Sequence, residues 1–223
     1  IRGARSEDLL VFFDDDFYPT TDYIDEATSL FMRQPDVVVA TNHPKLDGAS
    51  GRGISHDEAM RAVSEMEQTP LPPEQLTPTY AGYGCNMVVR LKAVRDHQVW
   101  FDENLPLYSW LEDVDFSRRL AKHGRVVRSN RLRGVHLGTK LGRTSGVRFG
   151  YSQIANPMYM LRKGSMDLRY ALQQMGRNVA MNTLLALWPE PWVDRAGRFR
   201  GNALALKHLL RGKLHPLNIE ELD

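Results

Sequence analysis

The chain has 223 residues, 42% apolar and 25% charged, with a formal net charge of +2. That size and balance suit one ordinary domain with a real core and exclude a disordered chain. A single cysteine, Cys85, excludes an internal disulfide and fits a reducing cytoplasm, and no run approaches the length of apolar sequence that a transmembrane helix needs. From the N-terminus, the run Leu9-Leu10-Val11-Phe12-Phe13 reads as a buried strand, and it stops at three consecutive carboxylates, Asp14, Asp15 and Asp16. Residues 21–32 read as a helix, with Thr20 or Thr21 as N-cap and Ile24, Ala27, Leu30 and Phe31 on one face. Residues 37–41 read as a buried strand, 42–55 as a loop and 56–68 as a helix. Four prolines make 69–78 extended or irregular.

Residues 80–89 are strand-like, interrupted by Gly82 and Gly84, which suggests close backbone approach. At Trp110-Leu111-Glu112-Asp113-Val114-Asp115-Phe116 an acidic group opens a helical pattern that runs through Leu120 and stops at His123-Gly124. Residues 126–135 alternate as a strand and deliver His136 at their end. Beyond it the α/β pattern gives way to helices over 156–163, 166–188 and 202–211. The stripe Leu168, Leu172, Met175 and Val179 is expected in their core. The expected division is an α/β catalytic part over 1–153 and a helical extension over 154–223.

Charge is unevenly placed. Residues 1–115 hold 9 Lys and Arg against 21 Asp and Glu, whereas 116–217 hold 20 against 3. The basic half suits a pyrophosphate, a lipid-linked acceptor or an anionic membrane surface. Its cations are not interleaved with stacking aromatics in any nucleic-acid motif, so no nucleic-acid partner is expected. Trp188, Trp192 and the nearby arginines offer a route to peripheral docking on a membrane.

Three adjacent carboxylates repel one another unless a cation sits among them, and hard oxygen ligands suit Mg²⁺ or Mn²⁺. A solvated turn before Pro19 is the plain alternative. The order of strand and DDD, Gly84-Cys85-Asn86-Met87, Phe101-Asp102-Glu103, Trp110-Leu111-Glu112-Asp113 and then His136 resembles glycosyltransferase family 2. These are the inverting GT-A enzymes that use nucleotide-sugar donors, and the resemblance spans roughly residues 9–164. It implies a partial GT-A, Rossmann-like mixed sheet of the α/β class with a C-terminal helical extension. Family members carry a nucleotide-binding βαβ region before the DxD strand. With the DxD at residue 14, the chain is expected to correspond to the later part of such a domain.

The resemblance also implies an activity and its residues. A sugar would pass from a nucleoside diphosphate to a hydroxyl of a glycan or lipid-linked acceptor, in the cytoplasm or at the inner face of the membrane. Asp16 is the expected metal ligand, with Asp14 on the metal or the ribose, and His136 as a further ligand. Asp15 is expected on the donor side or turned away, because successive strand side chains alternate. Asp113 is the expected base, Glu112 would position the acceptor, and Trp110 would offer it a flat apolar face. Gly84 and Asn86 would lie against the donor sugar, and Arg143, with Thr144 and Ser145, would close over the pyrophosphate. Two rivals stand beside this reading. One is a non-catalytic glycosyltransferase-like binding module. The other is a haloacid dehalogenase-type phosphatase, against which Tyr18 stands where Thr or Val is usual.

Overall fold

A computed structural model describes residues 5, 8–107, 110–139, 145–188 and 190–222. The fold is α/β, and it divides into two compact units. The first takes Ile1–Trp100 and Phe116–Lys140, and the second takes Phe101–Asp115 and Leu141–Asp223. The expected boundary at 153/154 is therefore displaced. The helical unit begins earlier, and it also recruits a segment from the middle of the sequence.

In chain order the first unit contains β1 (Leu9–Phe13), β2 (Phe17–Pro19), α1 (Tyr23–Arg33), β3 (Val37–Thr41), β4 (Leu46–Asp47), α2 (His56–Gln68), β5 (Leu76–Pro78), β6 (Asn86–Arg90) and α3 (Leu91–Asp96). The helix α4 (Glu112–Leu120) is shared between the units at Asp115/Phe116. Then come β7 (Arg125–Ser129) and β8 (Gly134–His136). A five-stranded sheet has the order β1-β6-β3-β7-β5, antiparallel except where β3 meets β7. A second sheet, β2-β8-β4, pairs β8 antiparallel to β2 and parallel to β4.

Every residue of β3 is buried, as its run of Val and Ala requires of a central strand. A register shift between Val37 and Val39 breaks its strict alternation. Val37 and Ala40 join Leu30 and Phe31 of α1 in one core layer, while Val38 and Val39 meet Leu91, Phe116 and Leu120 in another. β1 differs from the expectation of a buried strand. It is an edge strand, and Val11 and Phe13 remain well exposed. The expected strand over 80–89 shrinks to β6, because Tyr83 to Asn86 close a tight turn with Asn86 N donating to Tyr83 O at 2.9 Å. Residues 126–135 likewise split into β7 and β8. α2 starts where its capping box, Ser55 with Glu58, says it must.

The second unit is built of helices that each pack on the other two, α5 (Gly146–Lys163), α6 (Leu168–Leu185) and α7 (Arg195–Leu210), followed by a 3-10 turn at Pro216–Glu221. Ser145, Asp167 and Asp194 cap the three helices by accepting backbone N–H bonds. α5 and α7 cross closely through Gly150 and Gly201. A Cβ at Gly150 would stand 2.1 Å from Arg198 O, and one at Gly201 would stand 2.1 Å from Val147 O. Where they cross, Asn202 Nδ2 donates to Gly150 O at 2.6 Å, and Asn182 Nδ2 bonds both Gln153 and Asn202. The core is otherwise Tyr151, Ile154, Ala155, Ala205, Leu214 and Ile219, with Met175 and Val179 against it. Leu168 and Leu172 depart from the expected core stripe and lie exposed, because α6 turns Ala171 and Asn182 inward instead. No helix among the described residues is long and apolar enough to cross a membrane.

Candidate metal centre

The acidic triplet follows directly on the end of β1, as expected, and forms a tight turn there. Phe17 N donates to Asp14 O at 3.0 Å, which folds Asp14 to Phe17 back on itself. Asp15 sits at the exposed tip of that turn, so the turn and not strand alternation sets it apart. Directly after it, β2 pairs with β8 so that Phe17 lies opposite His136. Leu137 N extends the pairing by donating to Asp16 O at 3.0 Å. The register thus carries a residue from the far end of the unit to the acidic turn. One ligand atom from each of Asp14, Asp16 and His136 lies within 4.8 Å of the others.

His136 is held from behind. Its Nδ1 lies 2.8 Å from Asp47 Oδ1, while Nε2 faces Asp16 Oδ1 at 3.3 Å. Asp47 reaches this place because β4 runs beside β8 with Asp47 in register with His136. Ala49 N donates to Asp47 Oδ1 at 2.9 Å, and the Tyr83 hydroxyl donates to Oδ2 at 3.0 Å. The tight turn at Tyr83 is what presents that hydroxyl. A proton on Nδ1 shared with Asp47 leaves the Nε2 lone pair toward Asp14 and Asp16, the tautomer that a metal-binding imidazole needs. Asp16 is steadied in turn. Gly138 adopts a left-handed φ of 61°, and a Cβ there would stand 2.0 Å from the Gly48 carbonyl carbon. The bend beyond it lets Thr139 N donate to Asp16 Oδ2 at 2.7 Å.

The electrostatics are those of crowded like charges around one imidazole. Burial pushes the Asp14 carboxyl above its usual range, and Asp16 and Asp15 add to this against the pull of His136. Burial works against a charged His136, but the hydrogen bond and charge of Asp47, with Asp16 and Asp14, raise it on balance. Asp47 is held below the usual carboxylate range. Its burial acts the other way and is outweighed by His136, Ala49 N and Tyr83. The donor set of two carboxylates and one imidazole fits a divalent ion. Metal–oxygen bonds of about 2.0–2.2 Å place donors at most about 4.4 Å apart, so these atoms would close in by a few tenths of an ångström around an ion, and the imidazole favours Mn²⁺ over Mg²⁺.

Sequence reasoning missed Asp47 and Tyr83. Both are distant in sequence from His136, and nothing in the loop around Asp47 marks a two-residue strand.

The remaining candidates fall into distinct settings. Asn86 is fully buried, and its amide is taken up by the backbone of Asn42. Oδ1 accepts from Asn42 N and Nδ2 donates to Asn42 O, both at 2.8 Å. It is a clamp within the sheet, which corrects the expected contact with a sugar. Gly84 lies in the turn between Tyr83 and Asn86. Arg143 and Thr144 fall outside the described residues, while Ser145 caps α5.

In the helical unit, Glu112 and Asp113 occupy the first turn of α4, half-buried, with Asp113 Oδ1 accepting from Val114 N at 2.7 Å. The preceding Leu111 has a left-handed φ of 73°, a conformation that costs a non-glycine residue roughly 1–3 kcal/mol and is found at functional turns. Trp110 lies beside Phe149, with ring centroids 6.0 Å apart, and its carbonyl accepts from Asn156 Nδ2. The third acid of this turn, Asp115, is fully buried and bonded to Lys163 and Ser165. Its role is therefore structural. Lys163 also pairs with Asp102, whose carboxyl is held well below its usual range. Burial alone would raise it, but Lys163, Asn104 and Tyr159 outweigh that.

No family model matches the chain, and no curated protein matches it.

Proposed function

We propose that the chain acts in glycosyl transfer and holds a divalent cation and its nucleotide-sugar donor at Asp14, Asp16 and His136. The observation that carries this reading is the convergence of these three side chains, with Asp47 behind the imidazole. A chance acidic turn has no reason to recruit a histidine, backed by a carboxylate on its other ring nitrogen, from a strand more than a hundred residues away. When bound, Mn²⁺ or Mg²⁺ at this centre supplies charge neutralisation for a diphosphate leaving group.

The chain's own residues would do the rest. Asp16 and Asp14 set the site's negative charge, and Asp47 fixes the orientation of His136. Asp113, in the first turn of α4 where the helix dipole favours an anion, would take the proton from an acceptor hydroxyl. Glu112 would orient that hydroxyl, and the indole of Trp110 would supply an apolar platform for a sugar or lipid stem. The acceptor is a glycan or lipid-linked saccharide on this reading.

The test is calorimetric titration of the chain with Mn²⁺, then with UDP- and GDP-sugars in the presence and absence of the ion. Metal-dependent donor binding supports the reading. Donor turnover measured in the same samples separates an enzyme from a binding module. Donor binding indifferent to metal would overturn it.

A further inference from the structure

The helical unit carries a surface that the metal centre does not use. On α7, Phe199, Ala203, Leu206 and Leu210 recur at the spacing of one helix face, and all four are exposed, Leu210 at 89%. Arg200, Lys207 and Arg211 border this stripe and are also exposed. α6 repeats the pattern. Leu168, Leu172 and Leu184 lie outward along it, with Arg169 and Arg177 beside them, and the helix runs out into Leu187 and Trp188, exposed at 75% and 69%. An ordinary surface helix turns its apolar stripe inward. Here the fully buried positions are small and amide residues, Gly197, Gly201, Asn202 and Ala205 on α7 and Ala171 and Asn182 on α6, with Met175, Val179, Leu204 and Leu209 packed partly buried beside them, so both helices carry apolar side chains inward and outward.

The charges select the occupant. Neither α6 nor α7 contains a single Asp or Glu. The three carboxylates between residues 166 and 211 are already committed: Asp167 and Asp194 cap helices, and Glu190 pairs with Arg195. The outward faces are thus apolar and cationic, with no acidic residue contributed by α6 or α7 themselves. A second copy of the same face would match the apolar stripes but set cation against cation. Nucleic acid would match the cations but leave Leu206, Leu210 and Trp188 against phosphate. An anionic bilayer takes both features at once, with leucines and tryptophan at the acyl boundary and Arg and Lys among the headgroups.

We propose that α6 and α7 form a docking surface for an anionic lipid membrane, on which the protein sits peripherally. This inference stands independently of the metal-centre reading, since it uses none of those residues.

The test is co-sedimentation of the full chain with vesicles of phosphatidylcholine alone and of phosphatidylcholine mixed with phosphatidylglycerol, at low and high salt. Expected is binding to the anionic vesicles, little to the neutral ones, and a fall with salt. The double substitution Leu206→Glu with Leu210→Glu places charge at exposed positions and should lower the partition coefficient at least about tenfold. Arg200→Glu with Lys207→Glu should remove the preference for anionic vesicles. Ile24→Glu, an exposed change in the first unit, is the control and should leave binding intact. Circular dichroism and Mn²⁺ titration of each variant check the fold and keep this test separate from that of the metal centre. Equal binding to both vesicle types, no binding to either, or a soluble dimer that Leu206→Glu with Leu210→Glu dissolves would each overturn the proposal.

Discussion

Replacing Asp47 by Asn is the most informative change that leaves all three proposed ligands in place. The side chain keeps its size and an oxygen at the position that lies 2.8 Å from His136 Nδ1, so the fold of β4 against β8 should survive. What is lost is the negative charge behind the imidazole and the fixed sense of the hydrogen bond. An amide can present its NH₂ instead, which would pull the imidazole into the tautomer with Nε2–H and turn a donor toward the metal. Loss of such a partner behind a metal-binding histidine typically costs 10–100-fold in affinity, roughly 1.4–2.8 kcal/mol. Tyr83→Phe, which removes only the hydroxyl on Asp47 Oδ2, should have a smaller effect in the same direction. The assay is Mn²⁺ titration followed by the electron paramagnetic resonance of the free ion, with melting temperature measured on the same samples. If Asp47→Asn binds Mn²⁺ as tightly as the parent, Asp47 does not orient a ligand, and the Asp16–His136–Asp47 contacts are a structural ion cluster.

Three further expectations concern the base and the helical unit. Asp113→Asn should lower turnover by roughly 10²–10⁴-fold with donor affinity little changed if Asp113 takes the acceptor proton. If it only complements the helix dipole, stability should fall by about 0.3–1 kcal/mol with turnover intact. Gly201→Ala drives a Cβ to 2.1 Å from Val147 O, a backbone atom that cannot rotate away, so thermal unfolding should report a loss of roughly 1–3 kcal/mol or more. Asp102 has a folded pKa below its unfolded value. Its contribution to stability is present above about pH 4 and lost as pH falls through the folded value. Asp102→Asn should therefore be less stable at neutral pH yet lose less stability between neutral pH and strong acid, as denaturant midpoints across that range will show.

Much of the α/β framework is legible in the sequence where one local signal decides. β3 is a run of valines with one possible home, and α2 carries both halves of its capping box at Ser55 and Glu58. The acidic turn and His136 are legible as candidates from the repulsion within the triplet and from the order of the whole set along the chain, since neither is specific alone. Their support is not. Asp47 matters only because a two-residue strand sets it beside His136, and that pairing is fixed by long-range register, which no local pattern encodes. Asn86 looked like a sugar contact from its neighbours in sequence, but its partner is the backbone of Asn42. In the helical unit the usual rule holds only in part. Polar Asn182 and Asn202 satisfy one another inside while Leu168 and Leu172 lie outside, so only the Met175 and Val179 half of the expected stripe reaches the core. α5 begins at Gly146, well before residue 156. Gly146 and Gly150 weaken the helical signal, although close packing against α7 is what requires small residues there.

The central claim is that Asp14, Asp16 and His136 hold a divalent cation, and Mn²⁺ titration of the parent chain beside Asp16→Asn tests it most directly. The account predicts one Mn²⁺ site in the parent and its loss in Asp16→Asn, with an unchanged or slightly higher melting temperature for the metal-free variant as repulsion within the triplet is relieved. Equal Mn²⁺ binding by the two proteins, or none by the parent, would contradict it.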